Sequence, residues 1–461
     1  MKRFTIAEIA NISGGKVLCG DESYLVSGYA IDSRETTPGE VFFAIKGAAT
    51  DGHKFIPQVL EKGCNSLVIS DEKQLPEGAE QKANVVVVED ALKALQALGK
   101  HYLNSLPLKK KIGITGSVGK TSTRDMTYYV INEKYKAAKN KKNYNSSTGI
   151  PLSILEFPED TEVAILEMGM EVPGEIKELA ELVEPDIAVI TSVTEVNMVV
   201  FETVERILDA KMEITSKLGK DSTLIVNSTW PMLSPERVSG DYNLTTVGSD
   251  ALANYVVGEV CDYGDKGIKF SLYCNDEKHV VSLPVAGGHN AYNASLAIAV
   301  GMMLGISVEE AERGLQNTEL TGKRLNIFEH NGMKIIEDCY NACRDSVKSA
   351  INTLAATEGN RKVAIIGDIL GLGAISKKSH FDIGRYAAEK NIDLIVAIGP
   401  EAIEYANGAK TLLDDKRVLY FAKKEDFIDI KDDIIKSGDV ILLKASRGME
   451  LEKIAEEIIK L

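Results

Sequence analysis

Apolar residues in this chain gather in short continuous runs, separated by stretches in which they recur every three or four positions. From Lys111 onward the alternation is regular. VAILEMG (163–169), DIAVITSV (186–193) and STLIVNS (222–228) are runs of strand length, and helical periods lie between them. Continuous apolar runs suit strands covered on both faces, so the pattern predicts a mainly parallel sheet flanked by helices. The theme restarts after LTGKRLN (320–326) in KIIEDCY, KVAIIGD, DLIVAIG, RVLYFA and DVILLKAS. The first hundred residues mix short strands such as VFFAIKG (41–47) and NSLVIS (65–70) with helices. They end at SLPLKKK, whose proline and lysines suit a linker. The expected fold class is α/β in three domains: a small N-terminal domain at 1–108, a central domain at 109–321 with a mainly parallel sheet, and a third α/β domain at 322–461.

Length supports that division, because 461 residues exceed one ordinary core. The net charge of -15 argues against a dedicated nucleic-acid binder and leaves small anionic ligands open. Six cysteines form no Cys-x-x-Cys pair, so neither a zinc site nor a disulfide framework is expected. No apolar stretch reaches membrane-spanning length, and MKRFTIAEIANISGG lacks the apolar core of a secretion signal. A cytoplasmic protein is expected.

The chemistry begins at KIGITGSVGKTSTRDM (111–126), where a short apolar strand gives way through glycines to a helix. Glycine lets the backbone approach a ligand closely, and the N–H groups and dipole at a helix start favour an anion. In a nucleotide site Lys120 would reach terminal phosphates and Thr121 would help hold Mg²⁺. The spacing departs from G-x-x-x-x-G-K-[ST], since the position five before Gly119 is Ile114 and the available glycine is Gly116. A plain strand-to-helix turn therefore stays open.

Other groups have two readings each. Glu167 ends an apolar strand, as a magnesium ligand at the carboxyl edge of a sheet or as a solvated charge. Lys211 falls on the inward stripe set by Val204, Ile207 and Leu208, where an ammonium must snorkel, pair or be chemically changed. His289, Asn290 and Asn293 precede or open an apolar helix, as caps or as partners of a nucleotide base. Arg324, Asp338, Tyr340 and Asn341 stand near the start of the third domain. A cleft there would bring them toward the glycine loop.

In order and spacing these segments resemble the Mur ligase family over nearly the whole chain. IDSRETTPGEVFFAIKGAATDGHKFI (31–56) is similar to that family's uridine-nucleotide segment, and TGSVGKTS to its form of the phosphate loop. EMGMEVPGEI, GGHNAYNA, DCYNA, GDILGLG and KASRGME also have counterparts. The resemblance implies an ATP-dependent ligase that makes an acyl phosphate on a UDP-N-acetylmuramoyl-peptide and joins it to D-alanyl-D-alanine or a similar amine. It implies a Rossmann-like third domain, catalytic Lys120, Glu167 and Lys211, and ATP contacts from Gly116, Ser117, Val118, Gly119, Lys120, Thr121, Ser122, His289, Asn290, Asn293, Arg324, Asp338, Tyr340 and Asn341. Ser33, Arg34, Lys46 and Gly47 would meet the UDP-sugar. Thr121, Glu167 and Lys211, the last as N6-carboxylysine, would hold Mg²⁺. A monomer without membrane insertion is expected, with a hinge at 320–323.

Several positions depart from the family pattern. Asn197 replaces a histidine near the second metal, and Asn145-Ser146-Ser147 replaces Asn-Asn-Glu. Cys343-Arg344 stands for Asn-Pro, Gly371 for a glutamate, and Asn227-Ser228-Thr229-Trp230 for the usual NxDD segment. These departures keep open a relative with another amine or acceptor, and a nucleotide-binding protein without turnover that acts as a partner.

Overall fold

The computed structural model describes residues 2–47, 50–141, 143–322 and 324–460. Lys323, part of the expected hinge, lies outside them. Three sheets stand where the hydropathy pattern puts three α/β domains. By packing, the chain forms two compact units: residues 1–113, 135–187 and 213–218 make the first, and 114–134, 188–212 and 219–461 the second.

In the first unit, β1 (Lys16–Cys19), β2 (Gly28–Ala30), β3 (Glu40–Phe43), β4 (Ser66–Ile69) and β5 (Asn84–Val87) form a sheet of order β1-β5-β4-β3-β2. Strands β2 to β5 pair in parallel and β1 pairs antiparallel with β5. Phe42, Leu67, Ile69 and Val85 fill its core with Ile56 and Val59. The same unit holds the first residues of β6 (Lys110–Thr115), with β7 (Ala137–Lys139) and β8 (Val163–Glu167). Strands β7 and β8 pair in parallel, Ala137 opposite Val163. Every residue of β8 is buried, as its unbroken apolar run requires.

The second unit takes up the end of β6 and adds β9 (Ile187–Ile190), β10 (Thr223–Asn227), β11 (Asn243–Gly248), β12 (Tyr255–Asp262), β13 (Ile268–Cys274) and β14 (Glu277–Leu283), in that spatial order. Strands β10, β11 and β12 pair in parallel, whereas β12 to β14 form an antiparallel meander that the strand-helix reading did not single out. Four helices matter for the site: α1 (Lys120–Asn132), α2 (Val204–Met212), α3 (Asn290–Met303) and α4 (Arg344–Ala356). The third sheet contains β15 (Asn326–His330), β16 (Met333–Asp338), β17 (Arg361–Gly367), β18 (Leu394–Ile398), β19 (Val418–Phe421) and β20 (Asp439–Lys444), in order β15-β16-β20-β17-β18-β19. All but β15 run parallel, so the carboxyl ends of β16, β17 and β20 share one edge.

Helix α1 carries an unusual anchor. Arg124 and Asp125 are both fully buried, and the guanidinium bonds the neighbouring carboxylate at 2.7 Å. Thr321 joins them, its N–H donating to Asp125 at 2.7 Å and its hydroxyl oxygen accepting from Arg124 at 3.0 Å. The helix behind the glycine loop is thus tied to the chain entering the third sheet. Removing one member of a buried charge pair strands the other, at a cost of ~3–5 kcal/mol, while replacing both with apolar groups is far less harmful. Urea unfolding of Asp125→Ala is expected to show a loss of that size, with Arg124→Met/Asp125→Leu recovering most of it. Equal losses in the two variants would contradict this account.

Candidate functional site

Strand β6 delivers the chain to a glycine loop at its carboxyl end, and α1 leaves from it. Gly116 has φ +151°, and a Cβ there would lie 2.0 Å from the Thr191 hydroxyl oxygen. Gly119 has φ +84°, and a Cβ there would lie 2.7 Å from Asn293 Oδ1. Side chains are excluded at both positions by conformation and by contact. The altered spacing of the loop therefore has a local cause: glycine is required opposite the 191–194 turn, where Gly116 stands. Ser117 N–H donates to Ser192 O at 2.9 Å, Val118 N–H donates to Ser192 Oγ at 2.8 Å, and Thr191 Oγ1 donates to Val118 O. Two loop amides are thus engaged by the turn. Lys120 folds back over the loop, its ammonium 2.7 Å from Gly116 O and 3.2 Å from Ser117 O. Thr121 and Ser122 are buried in the first turn of α1.

Helix α3 flanks the loop. Asn293 Nδ2 donates to Asn290 Oδ1 at 2.8 Å, Asn290 Nδ2 donates to Ala286 O at 2.7 Å, and Thr123 Oγ1 donates to Asn293 Oδ1 at 3.3 Å. His289 occupies the cap position without a capping side-chain bond; its Nδ1 meets Ser349 Oγ instead. The capping reading of this segment is therefore replaced by a lateral network against the loop and α4.

Lys211 lies on α2 with Ile207 and Leu208, and is 2% exposed. Snorkelling is excluded by that burial. Desolvation drives its pKa well below the ordinary lysine value, and repulsion from Lys120 adds to the effect. After Met212 the chain tightens into a 3₁₀ turn over Glu213–Lys217, so the helical stripe ends one residue past Lys211. In the first unit, Glu167 is likewise buried, at 2% exposure, which rules out a solvated strand-end charge. Asn145 Nδ2 donates to Glu167 Oε1 at 2.9 Å, and Asn140 brackets the Glu167 backbone from both sides. Asn145, the retained member of the altered triplet, is thus the one that orients this carboxylate.

At the carboxyl end of β16, Asp338 meets Lys444 from β20 at 2.8 Å, and the same ammonium donates to Asn341 O at 2.6 Å. Lys444 is 2% exposed and was not among the residues singled out by sequence, although it opens the KASRGME segment at a strand end. The Arg324 guanidinium stacks 4.3 Å from the centroid of the Tyr340 ring, and its Nε is buried with no hydrogen-bond partner among the described residues. Asn197 is exposed with φ +51° at the start of a short helical turn. Gly371 has φ +78° with open space around it, and Arg344 pairs with Asp382 at 3.1 Å.

The segment 31–56, expected from the resemblance to meet a uridine nucleotide, lies in the first unit. Ser33 is buried and donates to Gln58 Oε1 at 3.0 Å. Arg34 is exposed and forks onto Asp32, Lys62 binds the Ser33 and Arg34 carbonyls, and Gly47 N–H closes a turn onto Thr50. Lys46 is exposed beside that turn.

Among the described residues, no group of three or more His, Cys, Asp or Glu side chains forms a metal cage. The hydroxyl of Thr121 and the carboxylate of Glu167 are hard oxygen donors that suit Mg²⁺, which also takes oxygens from phosphate and water. Lys211 would offer an oxygen donor of this kind only if it carried a carboxylate. No helix among the described residues is long and apolar enough to cross a membrane.

Three family models match the chain: the Mur ligase family, catalytic domain at residues 25–103, the Mur ligase middle domain at 114–301, and the Mur ligase, glutamate ligase domain at 323–447. The UDP-N-acetylmuramoyl-tripeptide--D-alanyl-D-alanine ligase of Bacillus subtilis is 35% identical over 463 aligned residues, covering 100% of this chain and 99% of its own. That of Treponema pallidum is 30% identical, covering 96% of each. Among solved structures, MurF from Acinetobacter baumannii superposes with a TM-score of 0.89 at 26% identity over 100% of both chains. MurF ligase from Thermotoga maritima in complex with ADP superposes with a TM-score of 0.80 at 27% identity, over 94% of this chain and 97% of that one.

The buried amine of Lys211 links stability to pH. Its folded pKa is lowered, so the unfolded chain binds the proton more readily, and stability from this group rises with pH up to the unfolded value near ~10.4. In carbon-dioxide-depleted buffer, Lys211→Met is expected to raise the melting temperature at pH 7, by roughly 2–4 °C for each kcal/mol relieved. The advantage should shrink by pH 9.5. A melting temperature lowered at pH 7 would contradict the burial cost.

Proposed function

The chain belongs to the Mur ligase family and is an ATP-dependent ligase of carboxylate and amine, and we propose that its acceptor is a UDP-N-acetylmuramoyl-tripeptide and its amine D-alanyl-D-alanine. The observation that carries the reading is the glycine loop. It is a strand-to-helix turn stripped of side chains at two contacts, with Lys120 held over it. The acceptor carboxylate attacks the γ-phosphorus of ATP, giving an acyl phosphate and ADP. The amine then attacks the acyl carbon, loses a proton and expels phosphate.

In this reading the amides at the start of α1 bind phosphate oxygens, and Lys120 moves from its loop carbonyls to the charge that develops during transfer. Thr121, Glu167 and a carboxylated Lys211 would each offer an oxygen to Mg²⁺, which would supply charge neutralisation. A neutral amine at Lys211 is the form that adds carbon dioxide, forming the N–C bond and releasing a proton, and the resulting carbamate removes the burden of a buried cation next to Lys120. That supports N6-carboxylysine at this position. Arg324 keeps a buried donor without a partner among the described residues, as a phosphate-facing group would. His289, Asn290 and Asn293 serve the adenine side, with Asp338, Tyr340 and Asn341 contributed by the third domain. Ser33, Arg34, Lys46 and Gly47 contact the UDP-sugar. The domain limits 1–108, 109–321 and 322–461 belong to the same proposal, as does a cytoplasmic monomer. A second reading, nucleotide binding without turnover, is favoured by the exposed Asn197 at the expected histidine position.

Phosphate release is expected only when ATP, Mg²⁺, UDP-N-acetylmuramoyl-tripeptide and D-alanyl-D-alanine are all present. ADP binding without release across a panel of acceptors and amines would favour the second reading. Lys211→Ala is expected to lower ligation by ~10–100-fold, the range usual for a lost metal-site partner. Short carboxylic acids should restore part of the activity by supplying the missing carboxylate, and undiminished ligation in the variant would exclude the lysine's role.

A further inference from the structure

Helix α4 opens directly after the DCYNAC loop and presents Asp345 and Ser349 one turn apart, on the same face. Each reaches a different flank of the glycine loop. Asp345 Oδ2 accepts from Thr194 Oγ1 at 2.6 Å. Thr194 is buried and holds the loop through its backbone: its N–H donates to Ser117 Oγ at 3.1 Å, and Ser117 Oγ donates to Thr194 O at 3.2 Å. Ser349 Oγ meets His289 Nδ1 at the start of α3, whose Asn293 lies against Gly119. Next to Asp345, Arg344 Nη1 stands 3.9 Å from Glu195 on the same turn as Thr194. The far end of α4 is also fixed. A Cβ at Gly264 would lie 2.4 Å from Thr357 Cα, and Lys266 pairs with Glu358 at 2.8 Å.

We propose that Asp345 is a positioning residue for the phosphate loop. Through the Thr194 hydroxyl it couples the seating of the third-domain helix α4 to the placement of Ser117, with Ser349 acting in parallel through His289. The physical basis is that Thr194 bonds both partners at once. Its backbone fixes a loop residue, and its side chain is held by a carboxylate from another domain. Coupling of this kind is reciprocal: a nucleotide that orders the loop favours the seated helix, and a seated helix favours the nucleotide. None of the three side chains needs to touch the nucleotide. The proposal rests on the ligase reading for the identity of the ligand.

The test is calorimetric titration of the full chain with MgADP, using wild type, Thr194→Val, Asp345→Asn and the double variant, with melting temperatures measured alongside. Each single change is expected to weaken ADP binding about 5-fold or more, the lower range of coupling between sites. The double variant should be no weaker than the worse single, because both changes break one bond. In turnover assays the KM for ATP should rise while that for the amine stays unchanged. Ser349→Ala, which trims one oxygen on the same face, should weaken ADP binding independently, and it carries the test if Asp345→Asn does not fold. Affinities unchanged in folded variants, or a lowered melting temperature without loss of affinity, would overturn the coupling while leaving the ligase reading intact. Additive losses from Thr194→Val and Asp345→Asn would also overturn it. A wild-type chain that takes up no ADP at all would sink both.

Discussion

Contact between backbone and neighbouring side chains at Gly116 and Gly119 is the constraint on which the rest of the site depends. The Thr191 hydroxyl and the Asn293 amide occupy the space that a Cβ would need. A side chain at either position would run into the 191–194 turn or helix α3, so glycine is required on both sides of the loop. Hydrogen bonds from Ser117 and Val118 to Ser192 complete the frame. These bonds fix the loop backbone on the side that faces the turn, while the Lys120 ammonium rests on the Gly116 and Ser117 carbonyls.

Buried cations are distributed around this frame in three electrostatic situations. Arg124 has Asp125 and Thr321 and is a structural anchor. Lys444 has Asp338 and the Asn341 carbonyl, and ties two strand ends of the third sheet together. Lys211 faces burial and a second cation, so its charge is disfavoured where the other two are compensated. The difference separates two cations held by buried partners from one whose charged form is opposed by its surroundings. Glu167 belongs with the compensated groups, since Asn145 and Asn140 fix its side chain and backbone.

The departures from the family pattern acquire distinct physical meanings. Asn145 keeps its hold on Glu167, so the change to Ser146 and Ser147 spares that contact. Replacement of Asn-Pro by Cys343-Arg344 places a long cation at the first position of α4, between Glu195 and Asp382, whereas proline there would contribute only its fixed φ. Gly371 sits in open space with a left-handed backbone and brings no side chain to its loop.

Sequence periodicity by itself determined the strand-helix alternation, the three sheets, and the inward position of Lys211. Burial of continuous apolar runs and of one helical stripe leaves few alternatives. The glycines, Lys120 and Thr121 were legible because strand, loop and helix start are adjacent in the chain. The β12–β14 meander was less legible, although its Asn275-Asp276 turn, with φ of +51° and +62°, is a local hairpin signal. Tertiary structure alone decided what Asn293, Lys444, Asp345 and Ser349 do. Their partners lie as many as 174, 106, 151 and 60 positions away along the chain, by the numbering of Gly119, Asp338, Thr194 and His289. Such pairings are set by how parallel strands and crossover helices stack, and a pattern of hydrophobicity carries no record of which loop meets which.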